Sequence, residues 1–401
     1  MLGVSFFMLL TTTKVKQIGE MKMEYFIQGI LQITWQQILM YAIGGALIFL
    51  AIKKQYEPAL LLPMGFGAIM VNLPLSGVLT QEIAGVGKVT GIIEWMYDVG
   101  IEASEAMPIL LFIGIGAMID FKPLLTNPIM AIFGVFAQSG IVCAIFLAML
   151  LGFDLRDAAS IGMIGAADGP TSILVSQFFH SKYVGAIAVA AYSYMALVPI
   201  IQPFAIKLVT TKKERCISMA YSTKDVSRRT LILFPIITTL IVGLIAPTSV
   251  ALVGFLMFGN LLRESGVVGD LSDTAQNILT KLITLLLGIT ISFSMRAEGF
   301  VTVETLIIMA IGLFAFFMDT IGGVLIAKFI NLFRKEKINP MIGAAGISAF
   351  PMSARVVQKM AQEEKPGNTI IMQAVGANVS GQIASVVAGG LVMGIVSNLL
   401  K

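Results

Sequence analysis

Long apolar runs separated by short polar stretches dominate the chain from residue 35 onward. A helix needs about 20 mostly apolar residues to cross the hydrocarbon core of a bilayer. Runs near 35–52, 58–74, 106–121, 128–151, 183–202, 230–246, 249–263, 281–295, 303–333 and 369–399 are read as spans. Two further stretches, 159–179 and 339–360, are apolar at both ends and interrupted in the middle. Asp168-Gly169-Pro170 breaks the first and Phe350-Pro351 the second. Proline removes a backbone donor and glycine loosens the chain, so neither stretch predicts a plain helix. Irregular backbone at membrane depth is tolerated only where protein or a wet cavity satisfies it. Both stretches are therefore read as re-entrant helical hairpins.

Composition narrows the class. Of 401 residues, 57% are apolar and 12% charged, and the mean hydropathy is +0.90. A soluble domain is about a quarter charged, so a water-soluble enzyme is excluded. The formal charge of +4 reads as cytoplasmic loops, not as a nucleic-acid surface. One histidine, His180, and two cysteines, Cys143 and Cys216, exclude a Cys/His zinc cluster and a disulfide framework. Residues 1–22 form an unassigned N-terminal extension: a short apolar run followed by lysines, the reverse of a signal peptide. The basic stretch 207–229 is the largest polar loop, and the positive-inside rule places it in the cytoplasm. Counting spans outward puts Lys53, Lys54, Lys122, Arg263, Lys281, Arg334, Lys335 and Lys337 on the same side. It puts 152–158 on the other, provided both hairpins return to the side they enter from.

The run Met163–Ala167 recurs as Met341–Ala345, and Gly134, Phe136 and Ala137 align without a gap with Gly312, Phe314 and Ala315. Asn72-Leu73 likewise resembles Asn260-Leu261. Each half then reads as five crossings and one hairpin, and an odd number inverts the second half. The expected fold is an all-α polytopic membrane protein, an inverted-topology repeat whose two hairpins meet near the membrane midplane. The expected domains are repeat 1 at 23–203, a basic cytoplasmic linker at 204–229 and repeat 2 at 230–401.

Polar residues at the breaks carry the candidate chemistry. An intramembrane carboxylate such as Asp168 is costly and marks a functional position. With Thr171 and Ser172 it offers the hard oxygens that small cations prefer, although an acid there also caps the following half-helix. Tyr192 and Tyr194 lie in the next span, and Asn339, Ser348, Ser353 and Arg355 belong to the second hairpin. Arg355 suits a carboxylated substrate, or the charge of Asp168 when an ion leaves. Asn378, Gln382 and Ser385 share one face of the last span, beside a smooth stripe of Ala377, Gly381, Ser385 and Gly389. Asp319 lies mid-span with no acidic counterpart in the first half; it reads as a proton site or as a structurally paired acid, and ranks below Asp168 because no backbone break accompanies it. Ion or small-solute transport by alternating access follows, including a stand-alone sodium-coupled transporter or sodium/proton antiporter.

Five stretches resemble the membrane β subunit of sodium-ion-translocating, biotin-dependent decarboxylases, the group acting on oxaloacetate, methylmalonyl-CoA, glutaconyl-CoA or malonate. They are GIGAMIDFKPLL (114–125), GAADGPTSI (165–173), AAYSYMALVPIIQP (190–203), INPMIGAAGISAFPMSARV (338–356) and GANVSGQIASV (376–386). The resemblance runs from about Met23 to the C-terminus and omits Asp319. It implies sodium ligation by Asp168, Asn339, Gly343, Ser348 and Asn378, with Asp168, Tyr194 and Arg355 serving the coupled proton movement. It also implies a multi-pass protein of a bacterial-type inner membrane, with no cofactor covalently bound. Biotin would ride on a biotin carrier, carboxylated by a carboxyltransferase α subunit. A small γ subunit and a β trimer complete the implied assembly.

Overall fold

The computed structural model describes residues 29–401 apart from 56, 84, 104 and 220–224, so the 1–22 extension lies outside the described residues. The described chain is helical except for one two-stranded antiparallel hairpin, β1 (Gln81–Ile83) and β2 (Gly87–Val89). Helix α1 (Trp35–Lys54) starts at a capping box between Thr34 and Gln37 and ends on Lys53 and Lys54. The box satisfies free backbone donors, and the lysines complement the helix dipole. Then follow α2 (Pro58–Val71), the β hairpin, α3 (Ile92–Tyr97) with a π turn, and α4 (Ala106–Met118). The next span is divided into α5 (Met130–Phe136) and α6 (Ser139–Leu150). The first interrupted hairpin comprises α7 (Leu155–Gly162), a 3-10 turn at Met163–Ala166 and α8 (Gly169–Phe178). Helix α9 (Val184–Val209) completes this half.

The second half runs through α10 (Arg228–Ile245), α11 (Val250–Ser265), α12 (Thr280–Ile291) and α13 (Val303–Phe333). Its interrupted hairpin is α14 (Met341–Ala344) and α15 (Met352–Glu364), with a cis peptide at Phe350-Pro351. Helix α16 (Ile371–Leu399) closes the chain.

Six helical stretches are long and apolar enough to cross a membrane, or eight if two bent pairs each count as one span. This differs from the ten plain spans expected. The run at 58–74 yields a helix of 14 residues and that at 249–263 one of 16. Polar termination explains α2. Its terminal Asn72 donates to Ala68 O at 2.7 Å and to Met295 O at 2.9 Å, and accepts the Ala297 N–H at 2.7 Å. Asn260 of α11 donates to Ile119 O at 2.9 Å, reaching back into the first half as Asn72 reaches forward. The bend of 70° in α9 falls between Met195 and Leu197. Pro199 causes it, because its ring removes the donor and crowds the carbonyl four residues earlier.

Both interrupted hairpins sit in the core: every residue from 158 to 177 and from 338 to 349 is buried. Glycine lets the helices around them touch. A Cβ at Gly116 would fall on Leu256 O, and one at Gly259 on Ile113 O, so α4 and α11 cross backbone to backbone.

Candidate functional site

The turn between α7 and α8 reverses at Ala167, which takes a left-handed φ of 53°, and then presents Asp168 as the N-cap of α8. The Asp168 carboxylate accepts the Thr171 hydroxyl at 2.6 Å and, at 3.5 Å, the Thr171 N–H. Ser385 on α16 donates to the same carboxylate at 3.1 Å. Ser172 ties the turn together, donating to Met163 O at 2.9 Å and to Asp168 O at 2.8 Å. Three hydroxyl or amide donors thus converge on this carboxylate. No salt bridge among the described residues involves it.

The tip of the second hairpin meets this turn directly. The Ser348 hydroxyl donates to Ala166 O, and Gln382 of α16 donates to Ser348 O. Asn378, one turn earlier on α16, donates to Ile347 O at 2.6 Å. The Asn378 Oδ1 and the Tyr192 hydroxyl are both sealed from solvent with no hydrogen-bond partner among the described residues. A Cβ at Gly169 would overlap the Tyr192 ring, so glycine is what admits Tyr192 beside Asp168. The result is a dry group of oxygens from four separate segments, one of them charged and two unpartnered. Buried polar atoms normally find partners, so these two oxygens keep lone pairs free for a further contact. Hard oxygen donors suit a small cation.

The structure brings Asp168, Ser348 and Asn378 into one connected network, along with Gln382 and Ser385. Three other sequence candidates are held elsewhere. The Asn339 amide donates to Arg215 O and Ile217 O at 2.9 Å each, and its Oδ1 accepts the Met341 N–H at 3.1 Å. Its side chain is thus spent clasping the segment after α9 to the second hairpin. Around it, Arg215 pairs with Glu364 at 2.7 Å and Lys328 with Glu214 at 3.1 Å. Asn368 donates to Ile217 O at 3.2 Å. Burial pushes the Glu214 carboxyl up, but the Thr211 N–H and the Lys328 ammonium outweigh it and leave the group below its ordinary value. Gly343 is a packing residue in this geometry, because a Cβ there would fall on Gly323 O of α13. Arg355 is exposed on α15 and has no ion-pair partner among the described residues.

Tyr194 stands immediately before the bend of α9 and donates to Met309 O of α13. A Cβ at Gly312 would come within 2.8 Å of its ring, so glycine again makes the room. Sequence reasoning passed over Gln202. Fully buried, it donates to Ala344 O at 2.7 Å and to the Ser353 hydroxyl at 2.6 Å, fixing α9 to both limbs of the second hairpin. The available signal was a lone amide between Pro199 and Pro203 in an apolar run.

The profile of the family described as "Na+-transporting oxaloacetate decarboxylase beta subunit" matches residues 36–396. The chain is 44% identical to the β subunit of glutaconyl-CoA decarboxylase from Acidaminococcus fermentans, over 92% of this chain and 95% of that one. It is 43% identical to the β subunit of methylmalonyl-CoA decarboxylase from Propionigenium modestum, over 92% and 97%. It is 40% identical to oxaloacetate decarboxylase β chain 2 from Salmonella typhi, over 91% and 96%.

Proposed function

This chain belongs to the family of sodium-transporting decarboxylase β subunits, and on that premise we propose that sodium binds among Asp168, the Ser348 tip and Asn378. The protein is a multi-pass membrane subunit of a sodium pump coupled to decarboxylation. The observation that carries the assignment is the network joining Asp168 through Ser385 and Gln382 to the Ser348 tip, with the buried Asn378 Oδ1 and Tyr192 hydroxyl unpartnered on the same elements. The ion would take the carboxylate charge and the free lone pair of Asn378 Oδ1. Gln382 and Ser385 would hold the cage in shape. Asn339 and Gly343, the other members of the sequence-derived ligand set, would set the position of the second hairpin through its clasp and its packing on Gly323.

The two halves read as inverted repeats, 23–203 and 230–401, joined by the basic linker 204–229, with the two hairpins entering from opposite faces. The same start in both turns, Met163–Ala167 and Met341–Ala345, and the reciprocal reach of Asn72 and Asn260 support that reading. Rocking of the halves about the meeting point would expose the cage to each side in turn.

Carboxybiotin, held by a biotin carrier subunit or domain, supplies the N-carboxyl group whose release as carbon dioxide consumes one proton. The exposed, unpaired Arg355 guanidinium fits such a carboxylated ring, because a planar fork of donors suits a carboxylate. Tyr194, joined to α13 through Met309 O, would transmit hairpin position across the bend of α9. Asp168 would exchange sodium for a proton as the halves switch. Moving one charge against 100 mV costs about 2.3 kcal/mol, so outward transport needs this downhill step. A carboxyltransferase α subunit, a small γ membrane subunit and a β trimer complete the assembly.

The test is sodium uptake into inverted vesicles carrying the co-expressed complex. Asp168→Asn is expected to abolish uptake while the complex still assembles; uptake at the wild-type rate removes Asp168 from the cage.

A further inference from the structure

Asp168 and Asp319 are the two acids buried among the described residues, and the sodium cage uses only the first. Asp319 lies on α13 opposite the break between α5 and α6. Its Oδ1 accepts the N–H of Gly140 in the first turn of α6, with the Ile141 amide beside it. Its Oδ2 is sealed from solvent and has no hydrogen-bond partner among the described residues. That oxygen faces Gly165, where a Cβ would come within 2.9 Å of it. Gly165 precedes Ala166, which accepts the Ser348 hydroxyl, and Asp168 follows two residues later. One face of the turn at 163–168 therefore meets the cage, and the other closes on Asp319.

No cationic side chain compensates Asp319: it takes part in no ion pair among the described residues. The titratable groups on the elements around it are Cys143 on α6, Asp157 and the exposed Arg156 at the far end of α7, Tyr192, Tyr194 and the exposed Lys207 on α9, Glu304 and Lys328 toward the two ends of α13 itself, and Asp168 beyond the turn. Of these, Tyr194 is committed to Met309 O, Asp157 accepts the Ser181 hydroxyl at 2.6 Å, and Asp168 is held by Thr171 and Ser385. A lone carboxylate in a dry interior is costly, and a helix N-terminus satisfies only the oxygen turned toward it. A metal ion needs several oxygens at about 2.0–2.6 Å. The sealed Oδ2 has a glycine backbone against it and no second unpartnered oxygen shown beside it among the described residues, which suits a proton and not a metal ion.

We propose that Asp319 is a proton-binding site, set behind the turn that carries Asp168, and that its occupancy depends on the position of the first hairpin. Proton binding rests on the local geometry; the link to transport rests on the pump reading above. Binding forms one O–H bond on Oδ2. Displacement of the turn from Asp319 would open Oδ2 to water and release the proton.

The experiment is infrared difference spectroscopy of the purified complex at neutral pH in saturating sodium, in light and heavy water. A carboxylic-acid carbonyl band that shifts on deuteration is expected in the wild type and in Asp168→Asn, and is expected to vanish in Asp319→Asn. The same band in Asp319→Asn overturns the proposal. Should that variant fail to assemble, Gly165→Ala decides, because its methyl abuts Oδ2: a displaced band supports the site and an unchanged one overturns it. The coupling is read separately, as the pH profile of sodium uptake in Asp319→Glu, which is expected to shift by about one unit; an unmoved profile overturns the coupling. A wild type that shows the band but takes up no sodium keeps the proton site and removes the pump reading.

Discussion

After the shared runs Met163–Ala167 and Met341–Ala345, the first hairpin places Asp168 and the second places Gly346. Downstream, α8 is buried on every side from Gly169 to Gln177, whereas α15 exposes Arg355, Lys359, Gln362 and Glu363 along one face. The first hairpin is an enclosed oxygen donor; the second has a buried tip and a charged limb reaching toward the basic loop. A Cβ at Gly346 would crowd Phe133 O, so the second turn has no room for a counterpart of Asp168. Two turns with the same five-residue start thus differ by one side chain and by how far each limb is wrapped.

The largest break in that comparison comes from removing the charge at the first tip. Losing the charged member of a buried polar group costs about 3–5 kcal/mol, or about two to four powers of ten in affinity. Asp168→Asn should therefore raise the sodium requirement of decarboxylation beyond measurable concentrations, while Gly346→Asp should not restore it. Kinetics against sodium concentration checks both.

Packing at the first tip comes next. Gly169→Ala drives a methyl into the Tyr192 ring, and overpacking of this kind costs about 1–3 kcal/mol. The melting temperature in detergent should fall, and shortening the ring in Gly169→Ala/Tyr192→Leu should recover part of the loss. Equal melting of Gly169→Ala and wild type would show that the ring moves freely.

The second hairpin should respond at its limb. Arg355→Ala is an exposed change and should alter stability by no more than about 0.5 kcal/mol. It should nevertheless slow decarboxylation about 10-fold, a loss of about 1.4 kcal/mol at the transition state. Unchanged turnover would remove Arg355 from the carboxylate-binding role.

A smaller effect belongs to the clasp. Arg215→Ala leaves Glu364 without its partner and should expose the linker to protease, read as faster cleavage between α9 and α10 with the transmembrane helices intact. The smallest effect is on pH. The Glu214 carboxyl sits below its ordinary value, so the stability it contributes is present above the unfolded carboxyl's value and is lost as pH falls through the folded one. Protease sensitivity of the linker should therefore rise at acid pH in the wild type, and Glu214→Gln should be sensitive already at neutral pH.

Much of this molecule is legible without coordinates. Helices and breaks follow from local chemistry: apolar runs long enough to cross a bilayer, and Asp168-Gly169-Pro170 or Phe350-Pro351 where no plain helix survives. Asp168 stands out because a carboxylate in such a run is costly wherever the chain goes. Asn339 shows the limit: its type and hairpin position suited a ligand, yet packing turned its amide to Arg215 O and Ile217 O. Asp319 shows the converse: no break interrupts its own helix, but the neighbouring one is broken where its carboxylate arrives.

The amino-acid order by itself marked most of the apolar helices and the two interrupted turns, because hydropathy, proline and glycine act over a few residues. Only the tertiary structure decided which oxygens share a pocket. Asp168 and Ser385 are 217 positions apart, and their contact depends on glycine faces closing on one another, a many-body fit that no local pattern records.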